Sequence, residues 1–301
     1  MKASTDMAPY LSLSDQRRLK LTLPDGSSQK AIAAVLEALD QKIVVNRRMN
    51  GTLEAIAQAI FKSWFIDFDP VTAKAAGRQL PGMDSETASL FPAGFCESDA
   101  GPTPTGWHRG SVYEVAQVIY GATFASRLFN RDRRGLPLIR IRDLGTHAPE
   151  VSTDEQHPNG TLIRTGDIVV GMDGEFRAHI WRGPESWLNQ RVCHFRPRNE
   201  APVAFVFFSI LEPLAEIERG EMGTTVSHLG KADIDEFKIV IPEKRVLIRF
   251  AETTTSIMER ILVNAAESRT IALLRDTLLP KLLSGEIRVR EAEKLAERAG
   301  A

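Results

Sequence analysis

Lys42-Ile43-Val44-Val45-Asn46 returns 218 positions later as Arg260-Ile261-Leu262-Val263-Asn264, and this repetition sets the reading of the whole chain. The same offset pairs Pro24 with Pro242, Leu11 with Leu229, Asp15 with Asp233 and Lys20 with Lys238, with no gap needed from about Leu11 to Phe65. Each copy reads as an apolar strand, then a proline, then a long helix. Two copies of one helix, bracketing a domain-sized insert, describe a spacer that carries a separate module.

The first helix is expected from about Ser28 to Phe65, with Asp25, Ser27 or Ser28 as its cap. Ile32, Leu36, Leu39, Ile43, Asn46, Asn50, Leu53, Ala57, Ile60 and Trp64 alternate spacings of four and three. That is a heptad seam. Asn46 falls on it, and Asn264 recurs at the matching place; Asn50, beside Gly51, reads equally as a seam residue or as a solvent-facing one at a kink. The second helix is expected from about Val246 to Leu283, with Met258, Ile261, Asn264, Ile271 and Leu278 on its seam, a kink or break at Pro280 and a stop at Gly285. Glu291 to Ala301 is charged and Ala-rich and reads as a frayed helix or as disordered chain.

Outward from the helices, Leu19-Lys20-Leu21-Thr22-Leu23 alternates like its counterpart Phe237-Lys238-Ile239-Val240-Ile241, and both read as short strands. Residues 1–23 then resemble the end of a domain, followed by a first long helix over 24–69. Residues 70–106 are rich in proline and glycine, which predicts an extended surface connection. The insert, 107–243, mixes strand candidates (Leu138–Ile141, Asp167–Gly171, Arg191–Phe195) with one short helix within Pro202–Leu214. A second long helix occupies 244–290 and the charged tail 291–301. The fold class is α+β: one mixed α/β domain flanked by two long helices packed as an antiparallel coiled coil.

The chain has 301 residues and a net charge of −1, so any nucleic-acid surface must be local. Its two cysteines, Cys96 and Cys193, exclude a disulfide framework, and its six histidines lack metal-motif spacing, so no metal is expected. No apolar run reaches the length of a membrane span and no signal peptide opens the chain, which predicts a cytoplasmic protein. Phosphate-loop and adenine-methyltransferase motifs are absent: Gly230-Lys231 is followed by Ala232, and Asp167, Asp173 and Glu175 read as turn residues. Neither catalysis nor a cofactor is expected.

Arginine dominates the cations of the insert. Arg127, Arg131, Arg133, Arg134, Arg140 and Arg142 crowd one stretch, and Arg177 and Arg182 form a second group. The guanidinium fork suits phosphates and the guanine edge. With Thr123, Ser126 and Asn130, residues Arg127, Arg131, Arg133 and Arg134 make a candidate DNA-contacting loop, with Arg177 and Arg182 as further candidates. The alternative is a solvated loop whose arginines pair with Asp132 and Asp143.

Three stretches carry a family resemblance. Thr52–Val71 is similar to the central conserved region, and Leu278–Val289 to the C-terminal conserved region, of the DNA-specificity (S) subunits of type I restriction–modification systems. Phe129-Asn130, Gly135–Arg142, Gly171–Gly174 and Leu188-Asn189-Gln190-Arg191 resemble one subgroup of their target-recognition domains. The resemblance implies a non-catalytic subunit that targets a complex to a split DNA site. Its implied partners are double-stranded DNA, methyltransferase (M) subunits and, through them, the restriction (R) subunit. Members usually carry two target-recognition domains; this sequence shows one, so it reads as a half-length form, functional as a homodimer, or as a truncated assembly or decoy protein that binds M subunits without targeting DNA. In the family motif, Asn189 and Gln190 are expected to pin the domain's own backbone.

Overall fold

A computed structural model describes residues 12–19, 23–98, 101–220 and 228–300. Two compact units make it up, one built from the residues up to Val45 together with those from Ser268 onward, the other from Asn46–Glu267. Helices α1 (Gly26–Phe65) and α7 (Lys244–Ser284) each contribute to both. At 1.5 Å per residue each is about 60 Å long. Asp25 starts α1: its carboxylate accepts the Ser27 and Ser28 backbone N–H groups at 2.9 and 3.0 Å and the Ser28 hydroxyl at 2.6 Å. The Ser27 and Ser28 hydroxyls hold that carboxyl well below the usual range. Backbone N–H groups of Ile66 and Asp67 both return to the Lys62 carbonyl, and Phe68, at φ 54°, turns the chain away.

In the first unit, Ile32, Val35, Leu39 and Ile43 are buried with Ile271, Leu278 and Leu282, and Leu36 packs at the margin. Asp40 pairs with Arg275 at 2.6 Å. The charged tail, expected as a frayed helix or as disordered chain, is a helix that packs. It forms α8 (Val289–Arg298), whose Ala292 and Ala296, one turn apart, are buried in this cluster. The small side chains let a polar helix approach closely, which the charge of the segment obscures. Pro280 does not end α7, which continues to Ser284 and stops at Gly285, φ 77°.

In the second unit the helix pair opens with a polar layer. Asn46 donates to Glu267 at 2.7 Å, Asn50 to the Ile261 carbonyl at 3.1 Å, and Asn264 to the Asn50 side-chain oxygen at 2.9 Å. Asn50 is buried, so it is a seam residue and does not face solvent. Rising numbers on α1 meet falling numbers on α7, so the helices run antiparallel. Beyond this layer Leu53, Ile60 and Met258 are only half-buried. The buried side keeps Ala57 and Trp64 of the expected seam and adds Phe61 and Phe65, packed with Val246, Leu247 and Phe250 of α7 and with Phe205 and Trp107 of the insert. The stripe widens because the helix covers a domain as well as a partner helix. Phe65 meets Phe205 and Phe250 edge-on at 5.1 Å each, contacts worth about 0.5–1.5 kcal/mol apiece beyond area burial.

Residues 70–106 are not an extended connection. They carry most of α2 (Asp69–Ala75), all of α3 (Ser85–Ser89) and a strand pair, β1 (Phe95–Cys96) with β2 (Thr103–Pro104), and they bury Val71 and Phe91. Lys74 donates to the carbonyls of Ala88, Ser89 and Phe91, and Arg249 of α7 donates to the Thr87 hydroxyl at 2.7 Å. The prolines and glycines shape turns between packed pieces.

The insert holds two main sheets. β4 (Ala116–Tyr120), β9 (Ile168–Gly171), β10 (Ala178–Ile180) and β12 (Val192–Pro197) form an antiparallel sheet in the order β10-β9-β12-β4. β5 (Phe129–Asn130), β6 (Leu136–Ile139), β7 (Ser152–Thr153), β8 (Leu162–Ile163) and β11 (Ser186–Leu188) form a mixed sheet, order β5-β7-β6-β11-β8, with β6 and β11 parallel. A short helix, α4 (Ile141–Leu144), follows β6, and α5 (Val203–Gly220) is longer than expected and runs through Pro213. A further helical turn, α6 (Lys231–Asp235), precedes β13 (Lys238–Ile241), which pairs antiparallel with β3 (His108–Ser111) and joins the two ends of the insert. The matching strand expected at Leu19–Leu23 lies largely outside the described residues. Among the described residues no helix is long and apolar enough to cross a membrane.

Candidate nucleic-acid interface

The arginine loop leaves β4 at Gly121, where a Cβ would fall 2.0 Å from the Asn189 carbonyl oxygen, so only glycine lets the two backbones meet. The Ala122 N–H then donates to the Leu188 carbonyl at 3.1 Å. Phe124 anchors the loop from below: its buried ring lies 5.7 Å from Trp187 and 5.1 Å from His157. A short 3-10 turn, Ser126–Leu128, follows. Ser126, Arg127 and Leu128 on it are all exposed.

Asn130 fixes the next turn. Its Nδ2 donates to the carbonyls of Arg134 (3.0 Å) and Ser152 (3.2 Å), and its Oδ1 accepts the Arg134 N–H at 3.0 Å. Gly135, at φ 71°, sits against Thr153, where a Cβ would be 2.1 Å from the carbonyl oxygen. With both feet of the turn tied, Arg131, Asp132 and Arg133 project outward, Arg133 in the left-handed region at φ 59°. Among the described residues Arg127, Arg131 and Arg133 have no acidic partner, whereas Arg134 approaches Asp154 at 4.0 Å. The structure therefore brings Thr123, Ser126, Arg127, Asn130, Arg131, Arg133 and Arg134 onto one loop, but divides their roles. Asn130 is a staple and not a free hydrogen-bonding group.

The remaining arginines lie elsewhere. Arg140 binds Asp143 through two bonds, 2.9 and 3.0 Å, and Glu150 at 3.3 Å; the hydrogen bond to Asp143 raises the Arg140 pKa further. Arg177 is exposed and pairs with Glu175 at 2.8 Å. Arg182 departs from the expected role: its largely buried guanidinium pairs with Glu54 of α1, and its backbone N–H donates to His147 Nδ1 at 3.4 Å. It braces the insert against the helix. Arg182→Ala is expected to cost about 1.5–3 kcal/mol, the worth of a charged hydrogen bond, while leaving the salt dependence of DNA binding unchanged. A thermal melt and a salt titration check the two halves.

His194 is buried, its Nδ1 hydrogen-bonded to the Ile168 carbonyl at 2.8 Å, and burial lowers its pKa. Cys193 is buried, and its thiol is pushed up to about 12. Among the described residues no group of histidine, cysteine and carboxylate side chains could hold a metal ion. What sequence reasoning misses is the contact of Thr123 Oγ1 with Gln190 Oε1 at 3.0 Å. Asn189 is buried, but Gln190 pins the backbone only with its N–H, donated to the Ala122 carbonyl at 2.8 Å, while its side chain is exposed.

Comparison with known proteins places the chain in a family. Residues 104–259 match the family model described as type I restriction modification DNA specificity domain. The HindI specificity subunit of Haemophilus influenzae is 28% identical over an alignment covering 93% of this chain and 71% of that protein. The MjaIX specificity subunit of Methanocaldococcus jannaschii is 26% identical, covering 94% of this chain and 64% of that protein. In fold, the chain is similar to the S subunit of a type I restriction–modification system from M. genitalium, with a TM-score of 0.52 and 13% identity over 86% of this chain and 61% of that one. The chain spans about two thirds of the length of the relatives it matches. With its family match covering the strands and loops of the insert, the chain belongs to the type I restriction modification DNA specificity domain family.

Proposed function

We propose that this chain is the non-catalytic, DNA-reading component of a type I restriction–modification assembly. The insert, residues 107–243, acts as its target-recognition domain. Arg127, Arg131 and Arg133 lie on duplex phosphates, which set position, while neighbouring uncharged groups meet base edges, which set sequence. The paired helices, 24–69 and 244–290, fix spacing and dock M subunits, through which an R subunit joins. One recognition domain per chain, doubled in a homodimer, would read a symmetric split target. The observation that supports this reading best is that the specificity-domain match covers the residues holding three unpaired arginines outward on a tethered loop.

The test is single-molecule sequencing of modified adenines in the source cells, with and without the gene for this chain. A split motif whose methylation disappears on deletion is the expected result. A methylome that does not change on deletion counts against the reading and favours a chain that binds M subunits without targeting DNA.

A further inference from the structure

The turn between β11 and β12 is tied to the start of the arginine loop at several points. Gln190 donates its N–H to Ala122, Ala122 donates to Leu188, and the Asn189 carbonyl lies against Gly121 where no Cβ fits. Arg191 follows at φ 69° and turns the chain into β12. These contacts fix the Gln190 Cα on two sides. Thr123 then fixes the carboxamide, its hydroxyl donating to Oε1 at 3.0 Å. A carbonyl oxygen has two lone pairs, and Thr123 uses one. The second lone pair and the Nε2 donors remain on an exposed side chain.

We propose that Gln190, oriented by Thr123, reads an adenine edge in the major groove of duplex DNA. This rests on the DNA-reading function proposed above. Adenine presents an N6 donor and an N7 acceptor there, which a glutamine amide meets with one acceptor and one donor. Guanine presents two acceptors, N7 and O6, so its O6 would face Oε1 with no proton between them. Holding the amide in advance removes the rotamer cost of ordering it on binding. Thr123 and Gln190 also stand at the base of the loop that carries Arg127, Arg131 and Arg133, so a phosphate-anchored loop would bring the amide to a groove. Gln190 is uncharged and releases no counterion, so its loss leaves the salt slope unchanged, which separates its role from theirs.

The experiment is selection from a randomised duplex library. It uses the full-length chain purified from its source cells with the subunits that accompany it, as wild type, Gln190→Ala and Thr123→Val. Wild type is expected to enrich a motif containing at least one adenine. Gln190→Ala should enrich the same motif with preference at one adenine reduced about tenfold, at an unchanged salt slope, and Thr123→Val should weaken the same position less. Replacing that adenine with 7-deazaadenine should weaken wild-type binding about tenfold and leave Gln190→Ala unaffected. The proposal is overturned if Gln190→Ala keeps every position of the motif, if the lost position is a G·C pair, or if affinity falls uniformly with a shallower salt slope. Should wild type enrich no motif, the DNA-reading function fails and this assignment fails with it, an outcome distinct from the other three. Melting temperatures of both variants establish that the fold is retained.

Discussion

Leu39→Asp is expected to unpair α1 and α7 in the first unit while the insert keeps its fold. Leu39 is fully buried among Ile32, Val35, Ile43, Ile271, Leu278 and Leu282. Losing the leucine side chain alone costs about 2–5 kcal/mol in a packed core. Burying an unpaired carboxylate there adds a further penalty of several kcal/mol. Arg275, a cation on the facing helix, is already engaged by Asp40 and Asp276. The sum is of the order of a whole domain's stability, about 5–15 kcal/mol. Hydrogen exchange should show protection lost over residues 32–43 and 271–282 and kept in β9 and β12, whose apolar side chains belong to other clusters. Co-elution with M subunits should be lost as well. Leu39→Met, which conserves volume, should cost less than about 1.5 kcal/mol. Retained protection over 271–282 in the aspartate variant would mean that the seam is not what holds these helices together.

The helices are legible in the sequence because a long amphipathic repeat leaves a period, and because Asp25 and Gly285 are chemically committed to ends. The polar layer is half legible. The recurrence of Asn264 marks Asn46, but the burial of Asn50 depends on Ile261 and Asn264 across the pair, which no local signal reports. The breadth of the buried face at Phe61 and Phe65 is hidden for the same reason, since a seam pattern records the helix partner and not the domain that covers the helix beside it. Two departures from expectation share one physical cause. Proline and glycine in residues 70–106, and charge in residues 289–298, are compositional signs of exposed chain. Yet such segments bury themselves through few residues: Val71 on α2 and Phe91 just after α3 in one case, Ala292 and Ala296 on α8 in the other.

At the candidate interface, composition locates the arginine stretch but does not divide it. Arg131 and Arg140 are equivalent letters. One projects from a turn tied by Asn130 and Gly135, and the other is locked to Asp143 three residues on, a spacing that puts both on the first turn of α4. Arg182 groups with Arg177 in the sequence because its true partner, Glu54, is 128 positions away. The motif around Gln190 predicts a backbone staple. The staple is real at the N–H, and the side chain above it bonds Thr123 with one lone pair and leaves the other lone pair and its amide donors exposed.

Arg131→Ala with Arg133→Ala is expected to flatten the salt dependence of DNA binding. Each phosphate left without its arginine lowers the magnitude of the log–log slope by about 0.9, so the pair removes about 1.8. Between about 50 and 200 mM salt that change corresponds to about a tenfold narrowing of the gap between variant and wild type, the deficit being larger at low salt. The substitution is clean for structural reasons. Both side chains are exposed and without acidic partners among the described residues, so no buried group is left unsatisfied. Arg133 already sits at φ 59°, and alanine, which also carries a Cβ, keeps the same backbone strain. Asp132, exposed in the same turn, offers an internal control of opposite sign: Asp132→Asn should tighten binding, because it removes a negative charge from a surface facing phosphates. Arg140→Ala should behave differently from all three. It leaves the buried Asp143 carboxylate without its two strongest bonds, so its first effect should be on the melting temperature. If the double variant binds with the wild-type slope, the phosphates lie against some other part of the insert, and the tethered turn serves no electrostatic purpose.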